Sequence, residues 1–567
     1  MSTSERRTCQ NCKQEFIIEP EDFGFYERMQ VPPPTFCPQC RFQRRLMFRN
    51  ERRLYKRKCG LCGKDIVTVF APDKPLTVYC QPCWWSDKWD PLEYGREYDP
   101  ARPFFEQFRE LQLRTPYMSL ITSYQQLVNS EYINHAGNSK NCYLIFNADY
   151  CENVLYSKVL VNNKDSMDCT MLGESELCYE NINCGKCSRV FYAEDCMSCH
   201  DVYFSKLLTG CTNCFGCVNL RNKSYCIWNQ QYTKEEYEQK IREFNLDSYS
   251  SIQELISQAR AFWQKSPHKF NHGLMNVNSS GDYIHQCKNS RYMYQCRFAE
   301  DCKFCQFITM KTAKDCYDHS EWGNGAERIY ESATVGEGAS NVRFCFGVWF
   351  PSLDVEYSMF TLSSSHMFGC ANIKSKEYCI LNRPYAKTDY EALRQKIIED
   401  MNTHPYMDNR GRVFKYGEYF PYDFSPYDYN ETVAIEYIPA AKETVLELGW
   451  RWREPESPKY QVTLPAGSIP DRINEIGDEI LDEILGCLEC SRPYKVIKAE
   501  LDLLRRFNLP LPRKCSDCRD RNRHSRINPP KLWDRTCAKC GAAIQTTYAP
   551  DRPEIVYCES CYNSEVA

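Results

Sequence analysis

One pattern of eight cysteines occurs twice in this chain of 567 residues, with every gap unchanged. Each copy holds four CxxC pairs, separated in turn by 24, 18 and 17 residues. The first copy comprises Cys9, Cys12, Cys37, Cys40, Cys59, Cys62, Cys80 and Cys83, and the second comprises Cys487, Cys490, Cys515, Cys518, Cys537, Cys540, Cys558 and Cys561. Two CxxC pairs at such separations are typical of a four-cysteine zinc site. We therefore predict two zinc modules in tandem near each terminus, with about four Zn²⁺ per chain.

Zinc explains these cysteines better than disulfide bonds or chance clustering. A tight turn directs two sulfurs at one ion, and the ion replaces a hydrophobic core that so short a segment cannot build. The chain has 36 cysteines, and its first residues show no apolar signal-peptide core. We therefore expect a reducing, cytoplasmic setting in which thiols bind metal. No apolar run in the sequence approaches membrane-spanning length, so we expect no membrane partner.

Between the two cysteine copies, further cysteines recur at intervals of nine residues. The first set is Cys142, Cys151, Cys169, Cys178, Cys187, Cys196 and Cys214, and the second is Cys287, Cys296 and Cys305. Short β-forming runs separated by Asn, Asp, Ser and Gly are typical of a solenoid. Because strands alternate faces with a period of two, we interpret the spacing as two nine-residue sides, about 18 residues per turn. The cysteines would then pack inside as small hydrophobic residues.

Two alternatives remain open for the central cysteines. Cys184, Cys187, Cys196 and Cys199 form CxxC pairs that could bind a further zinc ion. The run Cys211, Cys214 and Cys217 is weakly similar to an iron–sulfur motif, but the next cysteine is nine positions away and no Cys-Pro follows.

The centre is itself duplicated, since FGCVNLRNKSYCIWNQQYTKEEYE at 215–238 matches FGCANIKSKEYCILNRPYAKTDYE at 368–391. The predicted fold class is a multidomain, mainly β protein, in which tandem four-cysteine zinc modules at each terminus flank a duplicated, cysteine-rich β-solenoid-like centre with a few helices. Helices are predicted at about 102–113, twice within 233–264, and at 471–486. The predicted domains are tandem zinc modules at 1–90, a helical linker at 91–127, β-solenoid-like half 1 at 128–232, a helical insert at 233–270, β-solenoid-like half 2 at 271–386, a helix and Pro/Tyr-rich linker at 387–470, and a helix with tandem zinc modules at 471–567.

Basic segments follow the second CxxC pair of each copy. The arginines predicted to contact phosphate are Arg41, Arg44, Arg45, Arg49, Arg52, Arg53, Arg519, Arg521, Arg523 and Arg526. Guanidinium groups match phosphate oxygens, and a zinc module would present them rigidly. The aromatic residues Phe42, Phe48, Tyr55, Trp84 and Trp85 could stack on unpaired bases. Since net charge is only −4, such a surface must be local.

The sequence therefore predicts a non-enzymatic zinc-binding protein that binds structured RNA or a ribonucleoprotein, with DNA possible. One alternative is a solvated, ion-paired face on a protein–protein interaction scaffold that binds no nucleic acid. The other is a β-solenoid enzyme acting on carbohydrate, with carboxylates such as Asp165, Asp168, Asp195 and Asp301 along one face. We expect no enzyme, because no HExxH, deaminase or phosphate-loop motif occurs in the sequence.

Residues 9–45 resemble the probable zinc-ribbon family of short bacterial proteins. The resemblance depends on the first CxxC, Phe16, the pair Phe25–Tyr26, Pro32–Pro34 and the CPQCR run at 37–41. Nearly the whole chain is similar to a group of uncharacterised large multi-zinc-ribbon proteins of uncultured bacteria, through RNERRLYKRKC at 49–59, YNETVA at 429–434 and TYAPDRPEIVYCESCY at 547–562. This resemblance implies zinc binding and a bacterial cytoplasmic setting, but it implies no particular activity.

Overall fold

The computed structural model describes residues 4–566 and divides into two compact units. Unit 1 combines the residues up to Leu120 with Asn271–Arg453 and Pro530–Leu532. Unit 2 combines Ile121–Phe270 with Glu454–Pro529 and the residues from Trp533 onward. The N-terminal pair of predicted zinc modules thus shares unit 1 with residues 271–386. The C-terminal pair shares unit 2 with residues 128–232.

The helices of residues 4–566 are mostly short. They are α1 (Pro20–Arg28), α2 (Pro38–Leu46), α3 (Gln81–Trp85), α4 (Phe104–Arg114), α5 (Lys234–Glu243), α6 (Tyr249–Trp263), α7 (Lys387–Thr403), α8 (Ala434–Tyr437), α9 (Lys442–Glu447), α10 (Lys498–Phe507), α11 (Ser516–His524) and α12 (Glu559–Val566). No helix in this described part is both long and apolar enough to cross a bilayer.

Unit 2 is built on a ten-stranded sheet whose strands pair mainly in parallel. Its strands are Asn134–Gly137, Phe146–Leu155, Lys158–Met167, Thr170–Glu176, Ile182–Gly185, Ser188–Phe191, His200–Tyr203, Thr212–Phe215, Ser224–Ile227 and Gln230–Gln231. Two-stranded pairs complete the unit: Leu485–Gly486 with Pro493–Tyr494, Trp533–Thr536 with Ala543–Thr546, and His268–Lys269 with Val556–Tyr557.

Residues that pair in successive strands of the unit 2 sheet are 12 positions apart, not the 18 that we predicted. Asn134 pairs with Phe146, Phe146 with Lys158, and Lys158 with Thr170. Every third residue from His135 to Trp228 has a positive φ, so the chain turns at intervals of three residues. Side chains at every third position therefore point inward, and a nine-residue spacing is a multiple of three. The buried cluster that contains Cys142, Cys151 and Cys169 follows this rule.

Unit 1 contains a twelve-stranded sheet of the same kind. Its strands are Ala299–Glu300, Ala313–Lys314, Tyr317–Trp322, Ala326–Val335, Ser340–Arg343, Phe346–Trp349, Leu353–Glu356, Met359–Leu362, Ser365–Phe368, Ala371–Lys374, Glu377–Ile380 and Arg383–Pro384. Its other pairs are Glu5–Thr8 with Glu15–Ile18, Tyr55–Lys58 with Asp65–Thr68, Val78–Tyr79 with Tyr117–Met118, Gly281–Asp282 with Met293–Tyr294, and Tyr406–Met407 with Val413–Phe414. The register is 13 residues from Tyr317 to Tyr330 and 12 from Glu356 to Phe368.

The structure has helices where we predicted them at 102–113 and 233–264, but the helix predicted at 471–486 is wrong. That stretch contains the 3₁₀ turns Ile473–Glu475 and Asp478–Leu481 and the short strand Leu485–Gly486. Gly477 between them has an extended backbone, with ψ at −177°, which interrupts any helix. Ile473, Ile476 and Ile480 are still buried in the core of unit 2. Residues three or four positions apart can lie on one side of successive short turns, as they do in a helix.

Candidate metal centres

Each predicted cysteine quartet is assembled in the structure. Within each quartet all four sulfurs lie within 4.8 Å of one another. The quartets are Cys9, Cys12, Cys37 and Cys40; Cys59, Cys62, Cys80 and Cys83; Cys487, Cys490, Cys515 and Cys518; and Cys537, Cys540, Cys558 and Cys561. The first two belong to unit 1 and the last two to unit 2.

The sulfur spacing fits a zinc tetrahedron. A Zn–S bond of about 2.3 Å gives a tetrahedral edge of about 3.8 Å. The distance between sulfurs is 3.7 Å for Cys12 and Cys37 and 3.8 Å for Cys490 and Cys515. Four thiolates around one cation favour a closed structural zinc site, in which no coordination position is left for substrate.

Local backbone geometry explains how each quartet forms. In the first site, the N–H of Lys13 bonds to the carbonyl of Cys9 at 3.1 Å, and Lys13 has a φ of 61°. Gly63, Ser491 and Gly541 make the same turn after the first CxxC pair of the other three sites. The N–H of the third cysteine then donates to the first sulfur, at 3.3 Å for Cys37 to Cys9. The equivalent bonds are Cys80 to Cys59 at 3.2 Å, Cys515 to Cys487 at 3.3 Å and Cys558 to Cys537 at 3.2 Å.

These hydrogen bonds stabilise the thiolate form of the first cysteine in each site. Burial raises the pKa of Cys487, but N–H groups of Cys490 and Cys515 outweigh it and bring the pKa to about 6. The pKa of Cys59 and that of Cys537 are also lowered to about 6 for the same reason. The second CxxC pair of each site stands at the start of a helix, where the helix dipole favours negative charge. The first cysteine of each site is thus the one that the fold favours as a thiolate, whereas burial raises the pKa of its neighbour Cys515 to about 11.

Helix α2 directs its arginines into unit 1. Arg41 and Arg45 bind the same carboxylate, that of Asp318, at 2.8 Å and 3.1 Å. All three side chains are at most 1% exposed. Arg41 also donates to the carbonyl of Phe36 at 2.7 Å, and Arg45 to the hydroxyl of Ser320 at 3.0 Å. Residues four apart on a helix lie on one face, which is why one aspartate can serve both.

Two further arginines of this segment are also buried and paired. Arg44 bonds to Glu331 and, at 3.1 Å, to Glu418. Arg49 bonds to Glu51 at 2.7 Å, and its second partner is Glu321 at 3.2 Å.

Helix α11 repeats this arrangement in unit 2. Arg519 and Arg523, again four residues apart, bind Asp168 at 3.0 Å and 2.8 Å. Asp168 is 0% exposed. Arg523 also reaches Glu180 at 2.9 Å. In both units the helix that begins at a zinc site therefore packs against the sheet through two arginines and one buried aspartate.

The remaining predicted arginines are more accessible. Arg526 lies within 3.2 Å of both Glu180 and Glu194 and is about one-fifth exposed. Arg521 is exposed and donates to the sulfur of Cys518 at 2.9 Å. Arg52 and Arg53 are half-buried. Burial thus removes Arg41, Arg44, Arg45, Arg49, Arg519 and Arg523 from the solvent-presented surface that the sequence analysis expected, because buried carboxylates attract them more effectively than water.

The aromatic residues expected to stack on bases are in part core residues. Phe42, Phe48 and Trp84 are buried, whereas Tyr55 and Trp85 are half-buried. Trp84 donates its indole N–H to the carbonyl of Pro116 at 3.2 Å. These rings support the zinc modules from within.

The central cysteines are buried, as the packing interpretation expects. Within residues 4–566, the four terminal quartets are the groups whose ligand atoms all lie within 4.8 Å of one another. The set Cys184, Cys187, Cys196 and Cys199 does not form a fifth such group. Burial raises the pKa of Cys169 to about 12. The thiol of Cys178 donates to the carbonyl of Glu176 at 3.3 Å.

The sequence did not indicate which carboxylates pair with the buried arginines. Asp168 was considered only as one carboxylate of a solenoid enzyme, and the structure makes it an ion-pair partner instead. Asp318, Glu331 and Glu418 were not singled out at all. The available signal was the spacing of Arg41 with Arg45 and of Arg519 with Arg523, which places two cations on one helix face and implies a shared acid.

Comparisons with known proteins add no family. No family model matches the chain, and no curated protein matches it. Among solved structures, a chain described as an acetyltransferase from Desulfovibrio desulfuricans G20 is 9% identical, with 51% of this chain and 75% of that chain covered and a TM-score of 0.10. A similarity at that score carries no argument about fold or function.

Proposed function

We propose that the protein is a non-enzymatic scaffold that binds other proteins, and that its four cysteine quartets hold structural zinc. We also infer that the sheet of unit 1 and the sheet of unit 2 are β-solenoids related by duplication, each joined to one pair of zinc modules. The 12-residue register in unit 2 and the sequence match of 215–238 with 368–391 support this inference.

One observation carries the proposal. In each unit a zinc-anchored helix places two arginines on one buried aspartate, Asp318 or Asp168. The metal therefore fixes a helix whose cations are already neutralised by the fold. Such a module supports a neighbouring domain and has no open metal position for catalysis.

The basic segments of the sequence predicted nucleic-acid binding. Most of the arginines expected to contact phosphate are buried in the structure. Arg41, Arg44 and Arg45 are at most 1% exposed. Charged residues on the coil surfaces also alternate in sign, as in the ladder Lys140, Glu152 and Lys164. A phosphate backbone needs a continuous positive track, which this pattern does not supply. RNA, ribonucleoprotein or DNA binding is therefore the competing outcome of the test.

The test is a capture experiment on the full zinc-loaded chain, with and without RNase and DNase. We expect the same partner proteins in both arms, and little loss of them between low and moderate salt. If the partners are lost after nuclease treatment and binding depends steeply on salt, the protein binds nucleic acid and the scaffold proposal is wrong. Chelation of zinc before capture should abolish binding in either case and serves as the control for folding.

Charge reversal at Arg44, Arg45, Arg49 and Arg52, the set that the sequence alone suggests, cannot test nucleic-acid binding. Glutamates at the first three positions would lie beside Glu331, Asp318 and Glu321 in a buried site and would unfold unit 1. Arg521→Gln is the more suitable variant, because the side chain is 56% exposed and the change removes its charge without placing a carboxylate beside the sulfur of Cys518.

A further inference from the structure

Unit 2 contains a cavity of about 330 Å³ beside its zinc modules. The sheet contributes Tyr192 and Phe204 to its wall, helix α6 contributes Arg260, and the loop before α11 contributes Pro510 and Arg513. The cavity thus combines aromatic rings and cationic groups with one acidic residue, Glu180, whose carboxylate is paired with Arg523 and Arg526.

The corresponding face of unit 1 can be identified by register and by sequence offset. Phe215 and Phe368 are aligned in the repeated FGC sequence. One coil earlier, Phe215 pairs with Tyr203 and Phe368 pairs with Glu356, so Phe204 and Tyr357 hold equivalent places. On the zinc-module side, the constant offset of 478 residues relates Pro510 to Pro32 and Arg513 to Thr35.

In unit 1 this face is filled by the chain's own segment 416–422. The N–H of Gly417 donates to the hydroxyl of Tyr357 at 2.8 Å. Gly417 lies so close to Pro32 that an added Cβ would be 2.3 Å from the proline ring. Tyr419 and Phe420 are completely buried.

One carboxylate of the segment makes the polar contacts. Glu418 accepts a hydrogen bond from the backbone N–H of Thr35 at 2.8 Å and lies 3.1 Å from Arg44. The groups that recognise this acidic, aromatic segment are therefore a backbone N–H, a guanidinium and the sheet aromatic Tyr357.

In unit 2, Ile252 and Trp263 of helix α6 lie in the same buried cluster as Phe204, and the cavity lies beside that contact with similar groups in its wall. Among residues 4–566, the backbone N–H of Arg513, the counterpart of Thr35, has no hydrogen-bond partner. The indole N–H of Trp263 is buried in the wall and also has no partner within these residues. Arg260 is exposed in the wall and makes no side-chain hydrogen bond or ion pair in the described part of the chain. Three donors at one cavity favour an anionic, hydrogen-bond-accepting ligand.

We propose that this cavity binds a short acidic and aromatic peptide segment of a partner protein, in the way that unit 1 binds its own residues 416–422. The inference rests on the proposed function as a protein-binding scaffold and names the chemistry of the partner. A volume of about 330 Å³ suffices for one large aromatic side chain with part of its neighbours. A carboxylate of that segment would pair with Arg260 and the N–H of Arg513.

The probe for the experiment is a labelled synthetic peptide with the sequence of residues 414–424, FKYGEYFPYDF. Binding to the full zinc-loaded chain is followed by fluorescence anisotropy. Unit 1 should not capture the probe, because its tethered segment competes at a high effective concentration. We expect saturable binding that weakens about tenfold or more when the peptide glutamate is replaced by glutamine, since a charge-assisted hydrogen bond is lost.

Two protein variants place the binding in unit 2. Arg260→Glu reverses the charge at the cavity, and Gln253→Trp narrows it; both positions are exposed wall residues, so the fold should be retained. Each should weaken peptide binding about tenfold or more. Arg242→Glu, the same charge change at an exposed position of α5 outside the cavity, should leave it unchanged.

Three outcomes would overturn the proposal. They are an absence of saturable binding, equal binding by the Arg260→Glu and Arg242→Glu variants, and displacement of the peptide by N-acetyl-tyrosine at the peptide's own Kd, which would make the cavity a small-molecule site. Failure of the proposed function is seen separately, in the nuclease-treated capture experiment with the wild-type chain. If nuclease-resistant partners persist while the peptide fails to bind, only the cavity inference falls.

Discussion

Replacement of Asp318 by asparagine should destabilise unit 1 far more than its small change in shape suggests. The carboxylate neutralises Arg41 at 2.8 Å and Arg45 at 3.1 Å, and all three side chains are excluded from water. Asparagine has nearly the same volume but no charge, so two guanidinium groups lose their counterion in a buried site. Removal of one partner from a buried ion pair costs about 3–5 kcal/mol.

The expected shift in melting temperature follows from the size of the unit. Unit 1 has roughly 300 residues, and an unfolding entropy of about 2.1 cal/mol/K per residue converts this loss to about 5–8 °C. The assay is differential scanning calorimetry in zinc-containing buffer. Asp65→Asn is the matched control, because Asp65 pairs with Lys58 at 3.0 Å but is 85% exposed, so its midpoint should not move.

A triple variant separates lost charge balance from lost packing. Arg41→Met, Arg45→Met and Asp318→Leu together replace the buried ionic group by apolar side chains, which should recover at least half of the lost stability. Should Asp318→Asn melt within error of Asp65→Asn, the argument that this aspartate holds the zinc-anchored helix would be refuted.

Three other predictions test the metal sites, a buried histidine and one glycine. Chelation of zinc should expose the 16 terminal cysteines to iodoacetamide while the 20 central cysteines stay unmodified, and mass spectrometry of the alkylated chain would contradict the packing interpretation if central thiols reacted as fast. Burial lowers the pKa of His319 from 6.5 to about 4, so its stabilising contribution is complete above pH 6.5 and is lost as the pH falls towards 4. The stability difference between wild type and His319→Asn, measured by denaturant titration, should therefore shrink by about 3 kcal/mol over that range, and a constant difference would mean that the imidazole does not titrate as inferred. Gly417→Ala should destabilise unit 1 by about 1–3 kcal/mol, because Gly417 has a φ of 103° and no room for a Cβ beside Pro32, whereas Gly411→Ala, with a φ of 73° but open space, should cost less; equal effects in a melting assay would argue against the steric contact.

The central repeat was only partly predictable from the sequence. The nine-residue spacing of the cysteines indicated that they face one interior, and Cys142, Cys151 and Cys169 are buried together. The 12-residue interval between paired strands could not be derived from the cysteine spacing. Nine residues are compatible with one long straight side and equally with three short sides of three residues each. Some of the left-handed residues that decide between these are asparagines such as Asn138 and Asn141, which adopt a positive φ more readily than most types. Others, such as Leu144 and Tyr156, rarely adopt a positive φ, so the three-residue pattern was only partly visible in the sequence.

The cysteine quartets were determined by the sequence itself, because a CxxC turn is local and two such turns bring four sulfurs within reach of one metal ion. Only the tertiary structure decided what the arginines beside them do. Arg41 meets Asp318 across 277 residues of chain, and Arg519 meets Asp168 across 351. Before folding these are exposed cations that resemble a phosphate-binding surface. Once burial removes water from both charges, the nearest carboxylate is their partner, and no local pattern states which carboxylate that will be.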